Sequence, residues 1–298
     1  MKKNERTYWL HAVTPLHVGA GRGVGYIDLP IMREKITNWP FVPGSAVKGV
    51  LADNFGASDQ NEREKDPDKV RAFGKAGDEG NSGSLVFTDA RILCLPIRSF
   101  AGAFAWVTSP LCLARLARDN GDETAAPKNG KREEAIIVSK DSSIALDGKV
   151  YLEELDFTAL PSQEADAWAD RIASFVFGGD ADWKKTFRDR FVIVHDDVFS
   201  FLCETGTEVA ARVRIDDEKK TVARGALWYE ESLPTETILA GLVWCDKVYG
   251  KGDKEDAAAE KLLATFCGKP LDLQIGGKAT VGKGLVRCLF GGGANHGE

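Results

Sequence analysis

The stretch IGGKATVGKGLV, residues 275–286, sets four glycines and two lysines close to the end of a 298-residue chain. Gly277 and Gly282 flank four residues and Lys283 follows, as in the phosphate-binding loop of P-loop NTPases. That motif also needs a Ser or Thr after the lysine and a helix behind it, but here Gly284 comes next. The apolar run LVRCLF then suits a strand, and too little chain remains for a βαβ unit. The stretch therefore predicts two strands around a glycine loop.

The amino-acid composition limits the classes of protein to which the chain can belong. The hydrophobic content of 43% allows a substantial core, and the length suits one elaborated domain or two smaller ones. A formal charge of −6 gives no overall basic footprint, so any nucleic-acid binding must use a local patch or neighbouring subunits. Six cysteines without a CxxC pair or a metal-site spacing predict buried free thiols in a reducing cytoplasm. With no signal-peptide core and no run of membrane-spanning length, we expect a cytoplasmic protein with no membrane partner.

Strand-like and helix-like segments alternate along the chain. FVPGSAVKGVLADNFG, residues 41–56, predicts a helix with Ser45 as its N-cap. QEADAWADRIASFVFG, residues 163–178, predicts an amphipathic helix with Trp168, Ile172 and Phe175 on one face. This interleaving favours the α+β class, with no internal repeat.

Other segments indicate a hairpin and two insertions. EVAARVRI and TVARGALWYEESL surround a charged turn and predict a β-hairpin near residues 205–233. Polar, charged stretches near residues 57–83 and 119–135 are typical of excursions from the core. We therefore expect one domain over residues 1–298 with insertions at those two places.

Four motifs, in order, resemble the RAMP superfamily of CRISPR-associated proteins: LHAVTPLHVGAG (10–21), IDLPIMRE (27–34), FVPGSAVKGVL (41–51) and the glycine loop. The segments LPIRSFAGAFAWVTSP (95–110) and TGTEVAARVRIDDEKKTVARGALWYEESLP (205–234) narrow the resemblance to the backbone subunit of type III-B (Cmr) effector complexes. The resemblance covers most of the chain.

The resemblance implies a modified ferredoxin-like (RRM-like) palm with long insertions and a β-hairpin thumb. It also implies several copies of the chain in a filament along a guide CRISPR RNA, beside other Cmr subunits. Each copy is expected to cleave the paired target RNA in antiviral defence. A catalytically silent, structural guide-RNA-binding subunit is the alternative function, and nucleotide hydrolysis at the glycine loop is disfavoured by Gly284.

Two stretches are expected to bind RNA. Glycines let a polynucleotide backbone approach main-chain amides, and lysines supply charge at the phosphates. This predicts contacts from Gly276, Gly277, Lys278, Gly282, Lys283 and Gly284. A tight glycine turn with two solvated lysines stays open as an alternative. At PGSAVKG, helix amides, the Ser45 hydroxyl and Lys48 predict a second anion site, although an ordinary capped helix fits equally well.

The resemblance implies that Asp28, in GYIDLP, is the acidic residue needed for cutting. Asp28 is an isolated carboxylate directly after a glycine-rich loop. A plain turn residue is the alternative. RNA cleavage needs the 2′-hydroxyl aligned with the scissile bond and deprotonated, so Asp28 is expected to act as a base or to hold a divalent cation, Mg²⁺ or Mn²⁺. His17, at the end of the strand before this loop, is a second candidate, although such histidines are more often structural.

The hairpin adds further candidates. Glu230 and Glu231 should point to opposite faces of a strand, and the resemblance favours Glu231 as the acidic catalytic residue. Surface charge on a hairpin is the alternative. Arg212, Arg214 and Arg224 are candidates for RNA contacts, although solvated arginines on a strand face are just as common.

Overall fold

The structure, a computed structural model, describes residues 4–21, 23, 25–56, 65–75, 81–122, 127, 134–215, 218, 221–248 and 255–291. The strands are β1 (Glu5–Ala12), β2 (Phe41–Val42), β3 (Gly74–Lys75), β4 (Asn81–Ser82), β5 (Val86–Phe87), β6 (Ala90–Arg98), β7 (Phe104–Thr108), β8 (Ala135–Val138), β9 (Lys149–Leu152), β10 (Leu155–Pro161), β11 (Phe191–Ile193), β12 (Glu208–Ile215), β13 (Val222–Ser232), β14 (Ile238–Trp244), β15 (Leu271–Gln274) and β16 (Leu285–Phe290). The helices are α1 (Gly44–Asn54), α2 (Pro67–Phe73), α3 (Pro110–Asp119), α4 (Gln163–Val176), α5 (Ala181–Asp189), α6 (Asp196–Thr205) and α7 (Glu255–Phe266).

A four-stranded unit forms the centre of the main sheet. Its elements follow one another as β1, α1, β6, β14, α7 and β16, and its strands lie in the order β16-β1-β14-β6, with antiparallel neighbours. This β-α-β-β-α-β order is the one that the expected ferredoxin-like palm requires. The remaining pairs of the main sheet are antiparallel too, apart from two parallel pairs, β7 with β11 and β8 with β10. Helices combined with a mainly antiparallel sheet confirm the predicted α+β class.

The core packs against both faces of β1. Seven of its eight residues are buried. Trp9 stacks on Phe175 of α4, with ring centroids 5.2 Å apart. On the other side of the strand, the Arg6 guanidinium donates to the carbonyls of Leu263 and Cys267 at the end of α7. Tyr8 and Leu10, on the same side as Arg6, are fully buried. Because apolar surface is buried on both faces, β1 anchors the sheet that carries the candidate site.

Helix α4 has the face that its sequence predicts. Trp168 and Ile172 are buried, and Phe175 makes the stack on Trp9. The Ser162 side chain caps the helix by accepting from the Glu164 amide at 3.1 Å.

The predicted N-cap of α1 is wrong. The helix begins at Gly44, and Pro43, which has no hydroxyl to offer, occupies the cap position. The Gly44 amide instead donates to the Asp89 carboxylate at 2.9 Å. A distant acidic side chain therefore satisfies the helix start, and Ser45 lies exposed inside the first turn.

Insertions lengthen the unit in several places. Helix α2 lies in the insertion predicted near 57–83, whose residues 57–64 and 76–80 fall outside the described residues, as do 123–126 and 128–133 of the one near 119–135. A larger excursion that the patterns did not separate runs from β7 to α6. Its strands extend the main sheet in the order β7-β11-β8-β10-β9.

The predicted hairpin is confirmed. β12 and β13 pair antiparallel as a separate two-stranded sheet, from Glu208 opposite Ser232 to Ile215 opposite Val222. Residues 216–217 and 219–220 at its turn fall outside the described residues. At its root, isolated bridges join Leu16 to Leu233 and Leu29 to Glu230.

All six cysteines are buried and form no disulfide. Burial raises the pKa of Cys112 and of Cys267 to about 12, so both are neutral thiols. In the part of the chain that is described, no helix has both the length and the apolar character needed to cross a bilayer.

Candidate nucleic-acid interface

Strand β13 presents different chemistry on its two faces near the hairpin root. Trp228, Glu230 and Ser232 alternate along the strand and contact the lysines of the glycine loop. Tyr229 and Glu231, between them, contact the loop that carries Asp28. Because successive side chains of a strand point to opposite faces, one strand borders both predicted sites.

Glu230 holds the glycine loop against the hairpin. Only 2% of this residue is exposed. Its Oε1 accepts from Lys278 Nζ at 2.8 Å and from Trp228 Nε1 at 2.7 Å, and Arg212 Nε lies 3.5 Å from its Oε2. Lys283 Nζ lies 4.0 Å from the same Oε2 and donates to Ser232 Oγ at 2.6 Å. Both loop lysines are therefore tied to β13.

This cluster of Lys278, Lys283, Arg212, Glu230 and Glu208 carries more positive than negative charge. Burial alone would raise the pKa of Glu230, but hydrogen bonds from Lys278 and Trp228 and the charges of Lys278 and Arg212 outweigh burial and lower this pKa to about 2. Burial lowers the pKa of Lys283, against the attraction of Glu230. Three cations face two carboxylates, so the cluster can attract a further anion.

Two glycines of the loop serve the chain's own packing. Gly276 and Gly284 have positive φ angles of 81° and 86°, and a Cβ on either would lie 2.2 Å from a carbonyl oxygen, of His17 and of Ile275 respectively. Their lack of a side chain is required by the protein itself. Of the predicted RNA-binding glycines, Gly276, Gly277 and Gly282 are exposed and Gly284 is buried.

Most amides of the glycine loop are used internally. The amides of Gly277, Val281, Gly282, Lys283 and Gly284 donate to carbonyls of the chain. Within the described hydrogen bonds, the amides of residues 278–280 have no acceptor, and they precede or begin a 3-10 turn, Ala279–Val281. A phosphate could meet those amides and Lys278 together. A turn followed by β16 replaces the helix that a P-loop needs.

The second predicted anion site lies at the other end of the palm sheet. Lys48 Nζ donates to the Leu85 carbonyl at 2.7 Å, and burial lowers the pKa of Lys48. Strand β5 follows Leu85 and pairs with the end of β14 that lies beside Glu5. The glycine loop instead joins β16 at the end that lies beside Ala12. These two ends of β1 are about 23 Å apart at 3.3 Å per residue. The structure therefore does not bring Ser45 and Lys48 to the glycine loop.

Asp28 is exposed at the hairpin root. Its Oδ2 accepts from the Tyr229 amide at 2.8 Å. The Leu29 amide donates to the Tyr229 carbonyl, and the Glu231 amide to the Leu29 carbonyl, each at 3.0 Å. These bonds fix the carboxylate beside the edge of β13 that faces away from β12, and Asp28 stays exposed to solvent.

His17 connects the glycine loop to the same strand edge. Its Nδ1 lies 2.6 Å from the Glu231 carbonyl oxygen, and its own carbonyl accepts from the Gly277 amide at 2.9 Å. Because a carbonyl oxygen only accepts, Nδ1 carries the proton and Nε2 of the neutral ring is the acceptor. Only 5% of His17 is exposed.

Glu231 is almost fully buried, with 2% exposed. It accepts from the Ile31 amide at 3.0 Å, from Arg33 at 2.5 Å and from Thr207 Oγ1 at 2.9 Å. The structure thus brings Asp28, His17 and Glu231 to one edge of β13, but only Asp28 is open to a substrate.

The predicted divalent cation would have Asp28 as its available protein ligand. Across the described residues, no three His, Cys, Asp or Glu side chains converge on a metal-sized space. Mg²⁺ commonly takes one or two carboxylates, substrate phosphates and water, so a single exposed carboxylate fits a cation that arrives with RNA.

The sequence patterns selected Asp28 as the catalytic candidate, which stays a prediction, and they missed the contacts of Glu230. This residue contacts Lys278, 48 positions further along the chain, and a pairing over that distance leaves no local pattern. The one available signal was the alternation of side chains along β13, which places Glu230 and Glu231 on opposite faces of the strand. Arg212 was a candidate for RNA and is partly used by Glu230, while the Arg224 side chain lies outside the described ones.

The palm, the hairpin and the glycine loop together define a class of protein. The model of the RAMP superfamily matches residues 9–287, and the chain belongs to that family, as its motifs predicted. Its relatives include the "CRISPR system Cmr endoribonuclease Cmr4" of Pyrococcus furiosus, which is 35% identical over 298 residues, covering 97% of this chain and 96% of the relative.

Solved structures show the same fold. The crystal structure of oligomeric Cmr4 from Pyrococcus furiosus has a TM-score of 0.72 at 29% identity, covering 97% of this chain and 99% of that chain. A chain in the cryo-EM structure of type III-B Cmr-beta bound to cognate target RNA has a TM-score of 0.71 at 21% identity, covering 96% of each chain.

Proposed function

We propose that the chain is a backbone subunit of a cytoplasmic type III-B (Cmr) effector complex. Several copies line up along a guide CRISPR RNA, beside other Cmr subunits, and each cuts target RNA paired with the guide. The support is the membership of the family, the Pyrococcus furiosus relative named an endoribonuclease, and that relative's oligomeric crystal structure.

The guide backbone binds at the cationic side of β13. Lys278 and the open amides of residues 278–280 meet phosphate, while Gly276, Gly284 and Lys283 shape the loop. Ser45 and Lys48 contact a different part of the RNA, because they lie at the other end of the sheet. None of these groups reads base edges, so guide binding is independent of the spacer sequence.

Cutting takes place at Asp28, and its exposed carboxylate, held by the Tyr229 amide, is the observation that carries this assignment. Asp28 removes the proton of the target 2′-hydroxyl or would hold a cation beside the scissile phosphate. The 2′-oxygen bonds to phosphorus as the bond from phosphorus to the 5′-oxygen breaks, which leaves a 2′,3′-cyclic phosphate and a 5′-hydroxyl whose proton comes from water. His17 and Glu231 position the site, since both are buried and bonded to the loop or strand that frames it. A bound Mg²⁺ or Mn²⁺ supplies charge stabilisation at the phosphate.

The decisive experiment replaces Asp28 in the assembled complex. Asp28→Asn keeps an oxygen that can accept from the Tyr229 amide but removes the charge, and Asp28→Ala removes both. We expect both variants to bind guide and target normally and to lose at least 100-fold in cutting rate, the low end of roughly 10²–10⁴ for a lost general base. Asp156→Asn, an exposed carboxylate on β10, is the matched control and should cut normally.

Regular cutting by the Asp28→Asn complex at the wild-type rate would overturn the assignment and favour the silent, RNA-binding alternative. Chelation with EDTA should stop wild-type cutting if a divalent cation takes part. Undiminished cutting in EDTA would leave Asp28 as a base without a metal.

A further inference from the structure

The side of β13 that carries Tyr229 and Glu231 borders a cleft that no predicted role uses. Its volume is about 590 Å³, which lies within the 300–1,000 Å³ typical of ligand sites. Its lining includes Tyr26, Ile27, Pro30, Met32 and Arg33. Asp28 lies between two of these lining residues, Ile27 and Pro30, in sequence.

The charges of the cleft disfavour a phosphate. Two carboxylates, Glu204 and Glu231, line it, and Arg33 is the one cation among its described lining residues. The Arg33 guanidinium is already occupied by Glu231 at 2.5 Å and by the carbonyls of Asn38 and Cys203 at 2.9 and 3.0 Å. A net negative wall with no available cation repels an anion but accepts a neutral planar group. The cationic side of β13 has the opposite preference.

Tyr26 lines this cleft, and the ring of Tyr229 packs against Tyr26. Tyr26 is 72% exposed and Tyr229 is 37% exposed. Their rings are nearly perpendicular, at 81°, with centroids 6.2 Å apart, so Tyr229 supports Tyr26 by an edge contact and leaves ring surface open. Exposed aromatic faces stack nucleobases with little sequence preference, because every base has a π face.

A cutting site of this kind needs a receptor for a base. Attack by a 2′-hydroxyl requires that oxygen in line with the scissile bond, and the nucleotide must rotate out of the regular stack to reach that geometry. A base taken out of its stack is commonly held between aromatic or apolar side chains. Tyr26 lies two residues before Asp28, and the Tyr229 amide holds the Asp28 carboxylate. The rings and the carboxylate therefore face one nucleotide.

We propose that the cleft beside Tyr26 and Tyr229 receives the unstacked base of the target nucleotide whose 2′-hydroxyl attacks. Tyr26 stacks on this base while Asp28 acts at its sugar. The proposal rests on the proposed function and adds a base-binding subsite to it. The subsite accepts any of the four bases, because its contact is stacking.

The test is a double-mutant cycle on the assembled complex, in which one change is made in the protein and the other in the target RNA. The protein is wild type, Tyr26→Ala or Tyr26→Phe, and the target carries either a normal base or a ribose without a base at the attacking nucleotide. The abasic ribose keeps the 2′-hydroxyl. A second abasic target, with the gap two nucleotides away, is the substrate control. Single-turnover cutting rates and target affinity are measured for each pair.

We expect Tyr26→Ala and the abasic target each to slow cutting roughly 5- to 100-fold, the range that a lost base stack gives, and the combination to be no slower than either alone. Tyr26→Phe should cut at the wild-type rate, since it keeps the ring. Target affinity should change less than the rate. Independent, multiplying effects, or a wild-type rate for Tyr26→Ala, would overturn the subsite.

Failure here is distinguishable from failure of the proposed function. Tyr26 is exposed, so its replacement should leave folding and assembly unchanged, and both are checked by guide retention. If Asp28→Asn abolishes cutting while Tyr26→Ala does not slow it, only the subsite is wrong. If Asp28→Asn still cuts, the proposed function itself fails.

Discussion

At the residue scale, the glycine loop is held in a strained form by one buried carboxylate. Lys278 has a φ of 68°, in the left-handed region, which costs a residue with a Cβ about 1–2 kcal/mol. Its ion pair with Glu230 and its place near the Trp228 ring, 5.9 Å from the centroid, offset this strain. The Lys278 ammonium group is therefore already fixed in position before a phosphate binds.

The two loop lysines should behave differently when replaced. The Lys278 side chain is 33% exposed and that of Lys283 is 8% exposed. We expect Lys278→Gln to lower the slope of log K against log salt for guide binding by about 0.7, the value for one phosphate contact on a single strand. Lys278→Arg should keep the slope. Filter binding over a salt series measures both.

Lys283→Gln should instead act on stability. It removes a buried hydrogen bond to Ser232, at a cost of about 1–3 kcal/mol, and should leave the salt slope unchanged. If Lys283→Gln flattened the slope and Lys278→Gln did not, the roles given to these lysines would be reversed.

Glu230 should make the stability of the chain depend on pH. Its pKa is lowered from 4.5 to about 2 in the folded protein, so its stabilisation is complete above the unfolded-state pKa and is lost as pH falls from about 5 towards 2. A difference of about 2.5 corresponds to about 3 kcal/mol. Urea unfolding of wild type and Glu230→Gln should show stability curves that converge by this amount at low pH. Parallel curves would contradict it.

At the scale of elements, the hairpin separates into a root that holds the site and an outer part that projects. The root carries Thr207, Tyr229 and Glu231, all bonded to the loop that carries Asp28 or to its partners. Further out, Val213 and Leu227 pair across the strands and leave about half of each side chain in water. Exposed apolar residues on a projecting hairpin suit insertion into a stacked duplex.

Shortening the hairpin tests this division. Replacing residues 214–226 by Asn-Gly, a favoured two-residue turn, would join Val213 to Leu227 and keep the root intact. We expect normal guide binding and assembly, but at least tenfold slower target cutting, because the nucleotide at Asp28 is no longer unstacked. Cutting rates of assembled complexes measure this. Cutting at the wild-type rate and positions would show that the outer hairpin has no part in the reaction.

Elements were predictable where local pattern and packing agree. The β12–β13 hairpin and α4 follow from alternation and from a 3.6-residue period, and both formed as expected. The cap of α1 was not predictable, since Asp89 lies 45 residues from Gly44. Strand β1 is buried on both faces. The alternation of apolar and polar residues therefore could not predict its position between two other strands. Asp28 was predicted as a site residue from its motif, and its catalytic role stays a prediction. The contacts of Glu230 and Tyr26 join residues distant in sequence, so no local pattern indicated them.

At the scale of the whole molecule, a net negative chain has to bind a polyanion through a small positive region. The formal charge is −6, and the cluster at the hairpin root offers an excess of one cation. A single copy therefore makes few favourable contacts, and copies side by side on one RNA would add theirs without adding charge elsewhere.

RNA affinity should consequently depend on length. We expect the isolated chain to bind short RNA weakly and to bind RNA that spans two or more copies at least 100-fold more tightly, as effective concentration replaces free association. Titration of labelled RNAs of increasing length at constant salt measures this. Equal affinity for short and long RNA would contradict the filament.

The alternation of β13 also restricts how this family can change by insertion and deletion. One residue added before Trp228 would turn every later side chain over, sending Glu230 to the tyrosine cleft and Glu231 to the lysines. Both sites would be lost by a single codon. Two added residues would restore the facing of each side chain and shift it along the strand by about 6.6 Å. Relatives of this protein should therefore differ freely in the length of the outer hairpin. Insertions and deletions at the root of the hairpin should involve even numbers of residues.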